Sequence, residues 1–151
     1  MTPETFWSLA RQSHPNLPEE PPAAWSFGAT ADQANDLLDL VLRGVKTSTA
    51  SSLWDYEAKD DPLPTLGELA ILLDGDGRPN ALIQVQNVYV CPFNEVDESH
   101  AYAEGEGDRT LQYWREAHEQ FWRNYSDNPR GFEPDMPVVC ERFTVLFTVE
   151  G

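Results

Sequence analysis

The sequence predicts an α+β fold in which helices are interspersed with strands that pair mostly antiparallel and curl into a small barrel. Three observations carry this reading. Near the C-terminus, Val139, Phe143, Val145, Phe147 and Val149 alternate with Cys140, Arg142, Thr144 and Thr148, the two-residue period of a strand. Leu69 to Leu73 and Ala81 to Val90 flank Asp74-Gly75-Asp76-Gly77-Arg78-Pro79, a turn signal that joins them as a hairpin. The remaining structured segments show helical spacing behind recognisable caps. Strands with one apolar face belong to antiparallel sheets, which gives the predicted pairing.

Taken in order, Thr2 caps a first helix and Pro3 occupies its first position, where a missing N–H costs nothing; Phe6, Leu9 and Ala10 share one face. Pro15 to Pro22 reads as an extended acidic connector outside the core, and Trp25 to Gly28 as a short strand or an anchor for it. Thr30 and Gln33 form a capping box for a helix over 31–43, with Ala34, Leu37, Leu38 and Val41 on one face and Gly44 at the stop. Val45 to Ser52 is rich in hydroxyls and has no apolar periodicity. In the second hairpin strand the apolar phase shifts at Val88 and Val90, which predicts a bulge. Asn94 to Ala103 reads as a short helix, Glu104 to Asp108 as a loop, and Thr110 as the cap of a helix with the stripe Leu111, Trp114, His118, Phe121 and Tyr125.

A chain of 151 residues supports one substantial core, and 40% hydrophobic with 11% aromatic residues excludes a disordered polymer. We read 1–151 as one domain, with 1–29 as an N-terminal helix and Pro-rich extension. No apolar stretch has the length of a membrane span, and the N-terminus has no signal-peptide pattern. Cys91 and Cys140 have neither metal-binding nor disulfide-scaffold spacing. A cytoplasmic location and no cofactor are therefore expected. The ten Lys and Arg against twenty-six Asp and Glu give a formal charge of −16, which repels a polyanion over most of the surface. Duplex DNA is excluded as a partner, whereas a small neutral ligand or a short single strand of RNA is compatible.

Three stretches together resemble the ASCH family, in its bacterial stand-alone branch. They are Gly44-Val45-Lys46-Thr47-Ser48-Thr49, then Pro64-Thr65-Leu66-Gly67-Glu68, then Ala103 to Leu111 (Ala-Glu-Gly-Glu-Gly-Asp-Arg-Thr-Leu) followed by Tyr113-Trp114-Arg115 and His118. The branch usually has Gly-Asp where this chain has Gly67-Glu68. The resemblance implies a PUA-like β-barrel flanked by helices, with a cleft between the first segment and the acidic loop. Some members are amidohydrolases that remove the acetyl group of N4-acetylcytidine with a Lys, a Thr and a Glu, and no metal. Others are described as RNA-binding or ribonucleolytic.

Carried over residue by residue, the resemblance implies Lys46, Thr49 and Glu104 as the catalytic set. Lys46 either activates the attacking group or holds the oxyanion. Thr49 or a water attacks. Glu104 passes the proton, with Glu106 close enough to compete for that role. Thr47 and Ser51 lie on the same hydroxyl segment, Trp54 and Tyr56 follow it as candidates for stacking on a base, and Arg109 belongs to the acidic loop; with Glu106, these are the expected substrate contacts. His118, on an apolar stripe, reads as a satisfied core histidine, and Trp7, Trp25 and Trp122 as packing. The expected partner is a nucleoside, and the expected activity is deacylation of an N-acylated nucleoside. The alternatives are a non-catalytic RNA- or nucleotide-binding module and a ribonuclease acting on single-stranded RNA.

Overall fold

Each predicted cap is occupied in the computed structural model, which describes residues 1–149. Thr2 accepts a hydrogen bond from the Thr5 amide and starts α1 (Pro3–Ser13). A two-residue strand, β1 (Ala24–Trp25), follows the Pro-rich connector. Thr30 accepts from the Gln33 amide at the start of α2 (Ala31–Leu42), and Gln33 reaches back to the Ala29 amide, so its end of the box closes one residue early. Then come β2 (Ser48–Ser52), α3 (Leu53–Lys59), β3 (Leu69–Leu73) and the long β4 (Pro79–Pro92). A 3₁₀ turn (Phe93–Glu95), α4 (Glu98–Glu104), α5 (Leu111–Tyr125) and β5 (Pro137–Thr148) complete the order.

The strands form one sheet in the order β1-β3-β4-β5-β2, antiparallel throughout except for the parallel pair β1–β3. The expected barrel is not closed by strand pairing. Its two edges, β1 and β2, instead line one cleft from opposite sides.

The run Leu69-Ala-Ile-Leu-Leu73 is apolar throughout because both faces of β3 are covered. Ala70 and Leu72 pack with Phe27, Leu38, Val41, Ile83 and Phe143 beneath α2. Ile71 and Leu82 pack on the other face with Phe6, Trp7 and Ala10 of α1. The N-terminal helix is thus part of the core, while the connector behind it supplies the Pro18 and Glu19 carbonyls to the Trp7 indole N–H. The β4–β5 register shifts between Val85 and Asn87, where the phase change placed a bulge. Beyond it, α4 and α5 cover Phe93, Trp114, Trp122, Met136, Val138 and Cys140.

Three local readings change. Val45 to Ser52 contains a strand: β2 has no apolar alternation of its own and is held by pairing with β5, from Ser48 opposite Arg142 to Ser52 opposite Val138. The expected helix over 94–103 is interrupted because Asp97 accepts from the His100 amide and restarts it as α4. The alternation in β5 is confined to residues 142–144, where buried Phe143 lies between two exposed residues; Val145 is 38% exposed, and Val138, Val139, Cys140 and Glu141 are all buried, with cover on both faces. Both cysteines are free, and no helix among the described residues is long and apolar enough to cross a membrane.

Candidate active site

Where α2 ends, Gly44 takes φ +76°, a left-handed backbone that glycine adopts without Cβ strain. The amides of Val45 and Lys46 then both donate to the Leu40 carbonyl, and the Thr47 amide donates to the Ala103 carbonyl at 2.8 Å. These bonds clamp the segment after α2 against the end of α4. From the other side Arg109 donates to the carbonyls of Tyr102 and Val45, with its guanidinium 3.5 Å from the Tyr102 ring centroid. The clamp drives Lys46 inward until 2% of it remains exposed.

Lys46 Nζ donates to Glu104 Oε1 and to Glu106 Oε2, each at 3.3 Å. Glu104 is itself buried, whereas the Glu106 side chain is 23% exposed. The other Glu104 oxygen, Oε2, accepts from His100 Nε2 at 2.6 Å and from the Trp114 indole N–H at 2.5 Å. His118 Nε2 lies 3.3 Å from Oε1, and its Nδ1 is 2.8 Å from the Trp114 carbonyl. A carbonyl only accepts, so Nδ1 carries a proton, and Nε2 also needs one to face a carboxylate. Imidazolium His118 beside anionic Glu104 satisfies both contacts. Burial alone would raise the Glu104 pKa, but His118, Lys46 and the His100 hydrogen bond outweigh it and hold the carboxyl well below its usual range. Burial alone would likewise lower the His118 pKa; the Glu104 charge and hydrogen bond, with Glu106 behind them, raise it.

These groups open on a cleft of about 520 Å³ lined also by Thr49, Phe27, Tyr113 and Phe121, within the usual size range for small-molecule sites. The ligand atoms of Glu104, Glu106 and His118 lie within 4.8 Å of one another, a spacing a metal ion can use. The Lys46 ammonium lies between the two carboxylates, so the chain supplies the compensating cation itself.

The ASCH domain family model matches residues 23–147. The chain belongs to the ASCH domain family. A protein of Enterococcus faecalis V583 of known structure is 39% identical, with 95% of this chain and 86% of that one covered and a TM-score of 0.86. The ASCH domain of Lactobacillus crispatus JV V101 is 31% identical, with 95% and 92% covered and a TM-score of 0.84. No curated protein matches the chain.

This ASCH domain brings Lys46, Thr49, Glu104 and Glu106 to one cleft, and it adds His118, which the sequence reading assigned to the core. Ser51 and Tyr56 line a second cleft that shares Thr49, Phe27 and Gly28 with the first. Thr47 lies outside both; its hydroxyl donates to the Ala103 carbonyl. Trp54 packs against the α4–α5 core with the Arg130 guanidinium 3.6 Å from its ring centroid, and Arg109 serves the clamp. The signal for the ring around Glu104 was present as two i,i+4 pairs, His100 with Glu104 and Trp114 with His118.

The acidic loop depends on two glycines. A Cβ on Gly105 (φ +76°) would sit 2.7 Å from the Val45 carbonyl oxygen, and one on Gly107 (φ +57°) 2.5 Å from the Tyr113 ring. Gly105→Ala is therefore expected to cost more than Gly77→Ala, which has φ +79° but open space around it. The backbone term alone is ~1–2 kcal/mol for either; urea denaturation of the two variants reads the difference that the collision adds.

Proposed function

We propose that this ASCH domain is a metal-independent amidohydrolase acting on an N-acylated nucleoside, with N4-acetylcytidine as the most specific candidate. The observation that carries the reading is Lys46, buried and held between Glu104 and Glu106 at the floor of a nucleoside-sized cleft beside Thr49. Buried ion pairs are weak sources of stability, because desolvation offsets most of their attraction. A lysine kept there is better explained by chemistry than by folding.

An ammonium has three N–H donors. Two of those on Lys46 are used on the carboxylates, and the third serves the oxyanion that forms when the amide carbonyl is attacked. Both Glu104 oxygens are committed to four donors, so Glu104 fixes Lys46 and His118 while Glu106, partly exposed, exchanges protons. Glu106 takes the proton of the attacking Thr49 hydroxyl or water and returns it to the departing exocyclic nitrogen. The C–N bond breaks, and one water is consumed per turnover whether it attacks directly or hydrolyses an acyl-Thr49. Acetate and cytidine leave.

The charge pattern supports a small substrate over a polymer. Arg43, Lys46, Lys59, Arg123 and Arg130, five of the ten Lys and Arg, are already paired with carboxylates. Few remain to neutralise phosphates. The test is chromatography of the protein incubated with N4-acetylcytidine and, separately, with short single-stranded RNAs. Release of cytidine is expected; binding without turnover would make the domain a nucleoside-recognition module, and cleaved RNA would make it a nuclease.

A further inference from the structure

Glu141 is a buried carboxylate on β5, 7% exposed, and no hydrogen bond or ion pair to its side chain is formed among the described residues. Its carboxyl oxygens are not among the fully enclosed atoms that lack a hydrogen-bond partner, so the little exposure the residue keeps is at the cleft it lines, where solvent or a ligand meets it. It lines the second cleft, about 920 Å³, together with Trp25, Phe27, Tyr56 and Glu68. The Ser52 hydroxyl, also buried without a partner, lines the same cleft.

Register connects this group to the reaction. Glu141 is directly opposite Thr49 in the antiparallel β2–β5 ladder. Opposed residues share one face of the sheet with Cβ atoms about 5 Å apart, so a molecule touching the Thr49 hydroxyl is within reach of the Glu141 carboxyl. The two clefts also meet at Thr49, Phe27 and Gly28, forming two lobes of one larger depression.

We propose that the second lobe receives the heterocyclic ring of the substrate, and that Glu141 is its recognition residue, pairing through two hydrogen bonds with an edge that presents a ring-nitrogen acceptor beside an exocyclic N–H donor. This proposal rests on the amidohydrolase reading for the placement of the acyl group at Lys46, but the recognition itself requires no turnover. A carboxylic acid matches such an edge, since its O–H donates to the ring nitrogen and its carbonyl accepts from the N–H. A carboxylate would set two lone pairs against each other at the ring nitrogen. Burial, with Glu68 nearby, pushes the Glu141 pKa up to about 7, so the acid form is available at neutral pH.

The titratable neighbours are mostly acidic. Glu68 lies at the entry to β3, and Tyr56, Asp55 and Lys59 come from α3, with Lys59 paired to Asp127. Asp61 and Glu20 complete the rim. Across β5 from Glu141, β4 supplies the uncharged Val88. The rim therefore disfavours release of the Glu141 proton and also disfavours a phosphorylated ligand.

Titrating the protein with cytidine, followed by tryptophan fluorescence between pH 5.5 and 8.5, tests the proposal, with N4-acetylcytidine turnover assayed in parallel. Wild-type affinity is expected to fall roughly 30-fold from pH 5.5 to 8.5, tenfold per unit above a pKa of about 7. Glu141→Gln keeps an N–H donor and a carbonyl acceptor, so it should bind cytidine at every pH with that fall abolished. Glu141→Leu should bind roughly ten- to a hundredfold more weakly. His118 is present in all three proteins, so the difference between profiles isolates Glu141. Identical pH profiles for wild type and Glu141→Gln, unchanged affinity in a folded Glu141→Leu, or no binding of cytidine by wild type each overturn it. Cytidine binding with this pattern but no hydrolysis would leave the recognition lobe standing and remove the amidohydrolase.

Discussion

Replacing Lys46 with Met is expected to reduce N4-acetylcytidine turnover by ~10²–10³-fold, the usual cost of one oxyanion donor. Methionine keeps an unbranched chain of similar length, so the buried volume stays nearly filled while the ammonium is lost. The loss belongs in kcat, because the third N–H is used when charge develops on the carbonyl oxygen and not when the substrate docks. Thr49 then identifies the attacker. Thr49→Ser retains a hydroxyl on β2 and is expected to retain activity. Thr49→Ala should be nearly inactive if the hydroxyl attacks, and only modestly impaired if a water does. The double variant Lys46→Met/Thr49→Ala should be little worse than the poorer single one, since residues acting as a unit are non-additive. Steady-state kinetics on the four proteins, with folding checked by denaturation, reads all of this. Wild-type rates in Lys46→Met would show that the buried ion pair is structural only.

Much of this arrangement was legible in the sequence, and where legibility failed there is a physical cause. The caps at Thr2, Thr30 and Thr110 could be read because a hydroxyl three residues ahead of the amide it receives is a local event. The bulge near Gln86 was visible because a strand carries its own two-residue period. By contrast, β2 is a strand only because β5 lies beside it; Ser-Thr-Ala-Ser-Ser carries no periodicity that could announce the pairing. The cleft had the same limit. Lys46 and the acidic loop were found by motif, but nothing local places His118 against Glu104 or sets Glu141 opposite Thr49. Glu141 sits in a run, Val138 to Phe143, where a lone acid looks like a solvated position until both faces prove to be covered.

Glu104→Gln is expected to destabilise the fold by ~3–5 kcal/mol, the cost of removing one partner from a buried ion pair, in addition to impairing turnover. The substitution is close to isosteric, which by shape alone would leave folding unharmed. The structure argues otherwise, because Glu104 is the anion that Lys46, His118, His100 and the Trp114 indole all address. A glutamine can accept at one atom only, and its NH₂ would confront donors. The pH dependence separates this from a generic core defect. The depressed Glu104 pKa gives stability that is present above the unfolded carboxylate value of ~4.3 and is lost as pH falls toward the folded value. The raised His118 pKa gives stability that is complete below the unfolded histidine value of ~6.5 and is lost as pH rises through the folded one. Glu141, raised to about 7, imposes a cost that grows from the unfolded carboxylate value up to about pH 7 and stays in full above it, and it does so in both proteins. Above pH 7 the difference between wild type and Glu104→Gln should therefore shrink as His118 deprotonates in the wild type. Urea denaturation at pH 5.5, 7 and 9 measures it, and a deficit that stays constant across those three values would mean that His118 is not held as an imidazolium by Glu104.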